Sequence, residues 1–189
     1  MASHGVLIMN KVAASDVRTY NRSAVAGSAV DLDNGNVFRL DTKSSGSAHD
    51  VWLVTTGSAA PTASGSTMKN LWMACSPEIT TIVNNGKYYR GAEFGTDPRD
   101  FYNIGAYVLD AFKLQPGDLI TLSSDAISGS PSTGDYVIPA HDSYELIWAA
   151  AAVDSWLNLK LVKETYISLA TGAIDDQREL AYELEVISN

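Results

Sequence analysis

Short runs of alternating apolar and polar residues, broken by Gly, Asn, Asp and Pro, dominate this 189-residue chain. Leu157, Leu159 and Leu161 alternate with Asn158 and Lys160, and Leu180, Tyr182, Leu184 and Val186 alternate with Ala181, Glu183 and Glu185. A period of two puts each set on one face of a strand. Residues 157–168 and 180–186 are therefore predicted as half-buried strands, although Glu and Leu favour helix intrinsically. Residues 51–56, 71–75, 119–122, 136–138 and 144–148 are short apolar or β-branched runs bounded by turn residues, and they too are predicted as strands.

The turn residues predict how the strands connect. Asn34-Gly35 lies between 29–32 and 37–40, and Asn85-Gly86 lies between 78–83 and 87–90. Asn-Gly favours a type I′ turn, whose two central residues both need positive φ, so each site predicts a hairpin. Gln115-Pro116-Gly117-Asp118 fits a type II turn, with Pro second and Gly third. One segment has helical spacing: Asp97-Pro98 offers a cap and a first helical residue, and Phe101, Ile104, Val108, Leu109 and Phe112 follow. It predicts a short helix over 98–112, with a strand over 106–114 as the competing reading. Residues 55–68 and 123–135 are rich in Gly, Ser, Thr, Ala and Pro. They read either as exposed loops that order when a neighbouring subunit covers them or as plain surface linkers. Ala-His-Asp occurs at 48–50 and again at 140–142, each time ahead of a Trp-bearing strand, which raises a duplicated β-unit as one explanation. The expected fold is mainly β, a sandwich or barrel of short antiparallel strands with one short helix, in a single domain over 1–189.

Charge adds an asymmetry. The net charge is −9. Residues 1–100 carry nine basic and nine acidic side chains, whereas residues 101–189 carry four and thirteen. The chain thus has a neutral half and an acidic half. Such a surface repels phosphate and anionic lipid, which argues against nucleic acid and membrane as partners. The longest apolar run, 147–153, is far too short for a spanning helix. Met1-Ala-Ser-His-Gly5 lacks the basic start and apolar stretch of a secretory signal. The single cysteine, Cys75, allows no internal disulfide and no cysteine-cage zinc site.

The residues that carry chemistry elsewhere do not assemble into a reactive pattern here. There is no Gly-x-Ser-x-Gly elbow and no phosphate-binding glycine loop. Cys75 lies in an apolar run and reads as a small inert core residue. His49 and His141 each precede an aspartate, but neighbours on a strand point to opposite faces, so neither step forms an oriented pair. Asp31-Leu-Asp33-Asn-Gly35 has its glycine one residue early for a calcium loop, and a hairpin turn explains it better. Asp175, Asp176, Glu179, Glu183 and Glu185 read as a solvated acidic face, not as a glycosidase pair. Trp52, Trp72 and Trp148 sit in apolar strands and read as core, leaving Trp156 as the tryptophan expected at the surface. No enzymatic activity, cofactor or metal is expected.

Several stretches resemble a family of tailed-bacteriophage virion structural proteins. They are Met1-Ala-Ser-His-Gly5, Gly35-Asn-Val-Phe-Arg-Leu-Asp-Thr-Lys43, Val51-Trp-Leu53, Asp97-Pro-Arg-Asp-Phe101, Asp110-Ala-Phe-Lys113, Gly117-Asp-Leu-Ile-Thr-Leu122 and Thr165-Tyr-Ile-Ser168. Within that class the chain looks most like a capsid decoration, or cement, protein. The resemblance implies synthesis in the host cytoplasm, residence on the virion capsid surface, binding to the major capsid protein lattice and homo-oligomers, with trimers favoured. A tail-tube or head–tail joining subunit is the alternative within virions, and a carbohydrate-binding β-sandwich is the alternative outside them. Val6, Leu7, Ile8 and Met9 are the expected partner contact: an apolar arm of this kind adds a strand to a neighbour's sheet edge if it is free. Otherwise it is the first strand of the chain's own sheet. Contact is expected through the neutral half, with the acidic half toward solvent.

Overall fold

The computed structural model describes residues 4–44, 50–56, 68–77, 81–84, 87–90, 98–131, 135–168 and 178–189. In chain order the first strands are β1 (Leu7–Lys11), β2 (Asn21–Val25), β3 (Val37–Lys43), β4 (Val51–Thr55), β5 (Trp72–Ala74), β6 (Thr81–Asn84) and β7 (Lys87–Arg90). They continue with β8 (Val108–Lys113), β9 (Leu119–Ser123), β10 (Ile127–Ser128), β11 (Tyr136–Pro139), β12 (Leu146–Ala149), β13 (Asn158–Ser168) and β14 (Arg178–Ser188). The protein is mainly β, as the alternation predicts.

Five strands close into a barrel in the order β2-β4-β3-β5-β8, and seven form an open sheet in the order β1-β9-β14-β13-β11-β12-β10. β6 and β7 make a separate ribbon. Pairing is antiparallel except between β2 and β4 and between β10 and β12, which run parallel. In both cases the third strand of a trio inserts between the first two: β4 between β2 and β3, and β12 between β10 and β11. Each inserted strand is the one that follows an Ala-His-Asp tripeptide, so the repeated sequence marks a repeated three-strand arrangement. The sequence halves are not the structural parts. β1 crosses into the open sheet and β8 into the barrel.

The period of two divides the barrel strands between two cores. Ala24, Phe38, Ala74, Leu109 and Ala111 fill the barrel, where small residues suit a narrow interior. Val37, Met73 and Phe112 point out of it, into the larger core beneath the open sheet, with Ile120, Leu122, Leu159, Tyr182, Leu184 and Val186. Barrel wall and sheet face therefore bury each other. Polar lacing reinforces the seam. Asn189 Oδ1 accepts from Leu71 N at 2.9 Å, and its Nδ2 donates to the carbonyls of Leu71 and Leu114.

The local expectations meet different outcomes. The Pro116-Gly117 turn forms, with Gly117 at φ +90 and Asp118 N donating to Gln115 O at 3.0 Å. It links barrel to sheet; it does not close a hairpin. The hairpin around 85–86 forms, with Asn84 opposite Lys87, although Asn85 and Gly86 themselves lie outside the described residues. At Asn34-Gly35 the turn forms without a hairpin. Only Gly35 is left-handed (φ +95), Leu32 bridges to Asn103, and β3 pairs with β4 and β5. Buried Asn34 explains this: its Nδ2 donates to Ser76 O at 2.8 Å and its Oδ1 accepts from Asn103 Nδ2 at 3.3 Å. The helix over 98–112 is replaced by a single 3-10 turn at Pro98–Asp100 and by β8, the competing strand. Gly105 abuts Gly27 O so closely that an added Cβ would lie 2.5 Å away, and Ala106 is left-handed at φ +65, so a helix cannot run through. The start of 123–135 is also not an exposed loop, because Ser123, Ala126 and Ile127 are buried. Residues 57–67, the body of the other loop, lie outside the described residues.

Candidate functional site

The segment expected as a free arm is the edge strand of the chain's own sheet. β1 pairs antiparallel with β9, with Leu7 opposite Leu122 and Ile8 opposite Thr121. Val6 is buried with Ile167 and Ala181, and it exchanges hydrogen bonds with Ser123: Val6 N to Ser123 Oγ at 2.9 Å, and Ser123 N to Val6 O at 3.0 Å. Val6 is therefore withdrawn from contact. Leu7 is half-buried, whereas Ile8 and Met9 are 42% and 46% exposed. At Asn10 the register shifts, and Asn10 Nδ2 donates to Thr121 Oγ1 at 2.8 Å.

The residues just before β1 hold it in place. His4 Nδ1 lies 2.8 Å from Asp33 Oδ1, its ring stacks on Tyr102 at 4.8 Å, and its backbone N–H donates to Arg99 O. Gly5 N donates to Asp33 Oδ2 at 3.0 Å, and a Cβ at Gly5 would meet Ala126 Cβ at 2.8 Å. The Asp31 and Asp33 carboxylates, weighed as calcium ligands, thus serve other ends, since Asp31 Oδ1 accepts from Gly105 N. Sequence pattern had no signal for the His4 clasp, because its partners lie 29 and more residues away.

Beside β1 a cavity of about 300 Å³ opens at the seam, lined by Leu7, Met9, Asn34, Cys75, Ser76 and Pro77. Past Cys75 and Pro77 a second hollow of about 420 Å³ runs along Arg22 and Asp110. Further along the barrel wall, Trp52 lies under Lys43 at 5.7 Å, and Lys43 pairs with Asp50 at 2.6 Å. The Lys43 ammonium, by hydrogen bond and then by charge, holds the Asp50 carboxyl below the usual carboxylate range. Burial, and then the Asp110 charge, push the Cys75 thiol up to about 12. A thiol so shifted stays protonated at neutral pH. A backbone edge, two exposed apolar side chains and a shallow groove suit the binding of an extended polypeptide.

The remaining candidates fall elsewhere. His49 lies outside the described residues. His141 and Asp142 do pair, Nδ1 to Oδ2 at 3.0 Å, because they sit in a turn with Asp142 at φ +50, where the strand argument does not apply. Trp156, expected at the surface, is 3% exposed: a backbone bridge ties its segment to Met68, and both residues belong to the larger core. Glu183 pairs with Lys163 at 3.0 Å. Glu179 departs from the solvated acidic face, being buried with Arg99 Nε at 3.9 Å. Burial pushes its carboxyl above the usual range and Asp125 adds to the shift, while Ser123 and Arg99 pull the other way. Among the described residues, no group of three His, Cys, Asp or Glu side chains is placed to hold a metal ion. No family model, no characterised protein and no solved structure matches the chain.

Proposed function

We propose that this chain is a non-enzymatic structural protein of a tailed-bacteriophage virion, coating the assembled head as a capsid decoration protein. One observation carries the reading: β1 stands at an open sheet edge, clamped by His4 and Val6, with Ile8 and Met9 exposed and Leu7 and Met9 lining the seam groove. An extended segment of a capsid subunit adds to that edge through backbone hydrogen bonds and places alternate side chains in the groove. The charge distribution supports the orientation. Residues 12–117, which build the barrel, carry nine basic and ten acidic side chains, and residues 118–189 carry three and twelve. The open-sheet strands themselves balance at four basic and four acidic side chains, so the acidic excess lies in the segments between them, and docking at the barrel seam avoids desolvating those charges.

Electron microscopy of the purified protein with expanded shells, with unexpanded shells and alone tests the proposal. Added density on expanded shells is the expected result. Tubes or rings without shells would make the chain a tail-tube or joining subunit. Glycan binding, lost on Trp52→Ala, with bare shells would make it a carbohydrate-binding module.

A further inference from the structure

An uncharged apolar surface lies on the outer wall of the barrel. Ala24 and Leu109 pair across β2 and β8 and fill the interior, so their neighbours Val25 and Val108 point outward. Val25 stands opposite Val108 on one side and Leu53 on the other, which sets the three in a row across β8, β2 and β4. Val108 is 62% exposed, Leu53 is 39% exposed and Val25 is half-buried. The turn that feeds β8 extends the row. Tyr107 N donates to Ile104 O at 3.2 Å, and these two residues are 70% and 53% exposed.

That turn is held firmly. Ala106 N donates to Ala26 O at 3.1 Å, Gly105 N donates to Asp31 Oδ1 at 2.9 Å, and Gly105 sits against Gly27 O. Ala106 keeps a left-handed φ of +65, a conformation unfavourable to any residue with a Cβ. The fold thus fixes a strained turn that presents a Tyr and an Ile to solvent. A surface already rigid loses little freedom when a partner covers it.

Charge and area point to the partner. Residues 23–30, 51–56 and 101–109, which supply the surface, contain no Lys, Arg, Asp or Glu. Asp110, the next outward residue of β8, lies at its margin. Two copies, each at −9, repel one another, and an uncharged surface is where they approach with least repulsion. Five apolar side chains at these exposures present on the order of 500 Å². Interfaces are about 60% non-polar, so with a polar margin this surface reaches the roughly 800 Å² per partner of a stable dimer.

We propose that this barrel wall is a contact between two copies of the chain, with Val25, Leu53, Ile104, Tyr107 and Val108 of each packed against the same residues of the other. Because one surface meets itself, the contact is two-fold and stops at a dimer. None of the five residues belongs to β1 or lines the seam groove, so the contact is distinct from the one proposed for the capsid. The inference does not rest on the virion reading. It is tested without shells, so its failure and the failure of capsid binding are separate results.

Sedimentation velocity of the whole chain over a wide concentration range, in low and in high salt, reads the association. A reversible monomer–dimer equilibrium is expected, tighter in high salt because screening relieves the repulsion between copies. A Tyr107→Ser/Val108→Thr variant is expected to dimerise at least about tenfold more weakly. Both positions are exposed and Thr suits a strand, and dichroism checks that the fold is kept. Should that variant misfold, Ile104→Ser, outside the strands, is expected to weaken the dimer at least about threefold. A Val162→Thr/Tyr166→Ser control removes exposed apolar area from β13 and is expected to dimerise like the parent. A parent chain that stays monomeric or assembles beyond a dimer, a dimer that high salt dissociates, barrel-wall variants that dimerise like the parent, or a control that loses the dimer with them would overturn the proposal.

Discussion

In the barrel β2 and β8 meet, so each strand has a neighbour on both sides; in the open sheet β1, β10 and the outer half of β13 have one among the described residues. The barrel strands have few basic or acidic residues in excess, and their interior is filled by alanines around Phe38 and Leu109. The sheet carries the larger core on one face; its strands hold four basic and four acidic side chains, and the negative excess of residues 118–189 lies in the segments between them. Closure removes edges, and with them the capacity to recruit another strand. The barrel thus acts as a scaffold that supports the sheet from behind, while the sheet presents the strand edges able to bind. The two are not independent, because Val37, Met73 and Phe112 leave the barrel for the sheet's core.

That dependence gives the largest expected effects. Phe112→Ala, at a fully buried barrel residue in the shared core, is expected to cost about 3–5 kcal/mol. Phe38→Ala, inside the barrel, is expected to cost a similar amount. Denaturant unfolding followed by tryptophan fluorescence and by far-ultraviolet dichroism should give one coincident transition in each case. Two separated transitions for Phe38→Ala, with the sheet surviving the barrel, would break the shared-core picture. The seam lacing comes next. Asn189→Ala leaves the N–H of Leu71 and the carbonyls of Leu71 and Leu114 without those partners, and a loss of about 1–3 kcal/mol is expected by the same unfolding measurement.

How much of this was legible in the chain depends on the distance over which each feature is decided. The alternations at 157–161 and 180–186 and the turn at Pro116-Gly117 are local, and the structure carries them as read. Residues 98–112 misled because β8 feeds two cores. Leu109 and Ala111 enter the barrel and Phe112 the shared core, so its apolar residues lack a clean period of two and mimic helical spacing. The Asn34 turn is set by Ser76 and Asn103, and the Trp156 segment is tied by a backbone bridge to Met68, partners that no short window contains. The edge position of β1 depends on β9, more than a hundred residues away. The seam groove beside it has the same non-local origin.

Smaller effects sharpen the contrast between buried and solvated charge on the sheet. The raised Glu179 carboxyl binds a proton more tightly in the folded chain than in the unfolded one. Stability from this group is therefore fullest below the unfolded value and falls as pH rises through the folded one. Glu179→Gln is expected to raise the Tm at neutral pH and to change it little in acid; a lowered Tm at neutral pH would mean that Arg99 outweighs burial. Lys163→Ala removes an ion pair whose lysine is largely exposed, and a change within about 1 kcal/mol is expected in thermal unfolding.

Truncating the first ten residues would remove β1 and its clamp together, so binding through this edge is better probed by point substitutions at exposed positions. Co-sedimentation with expanded capsid shells, comparing the parent chain, an Ile8→Asp/Met9→Asp variant and a Glu183→Lys/Glu185→Lys variant of unchanged dichroism, tests the central claim most directly. The β1 variant is expected to bind at least about tenfold more weakly and the charge-reversed variant to bind like the parent. Normal binding by the β1 variant, with binding abolished by the charge reversals, would place the docking face on β14 and contradict the account.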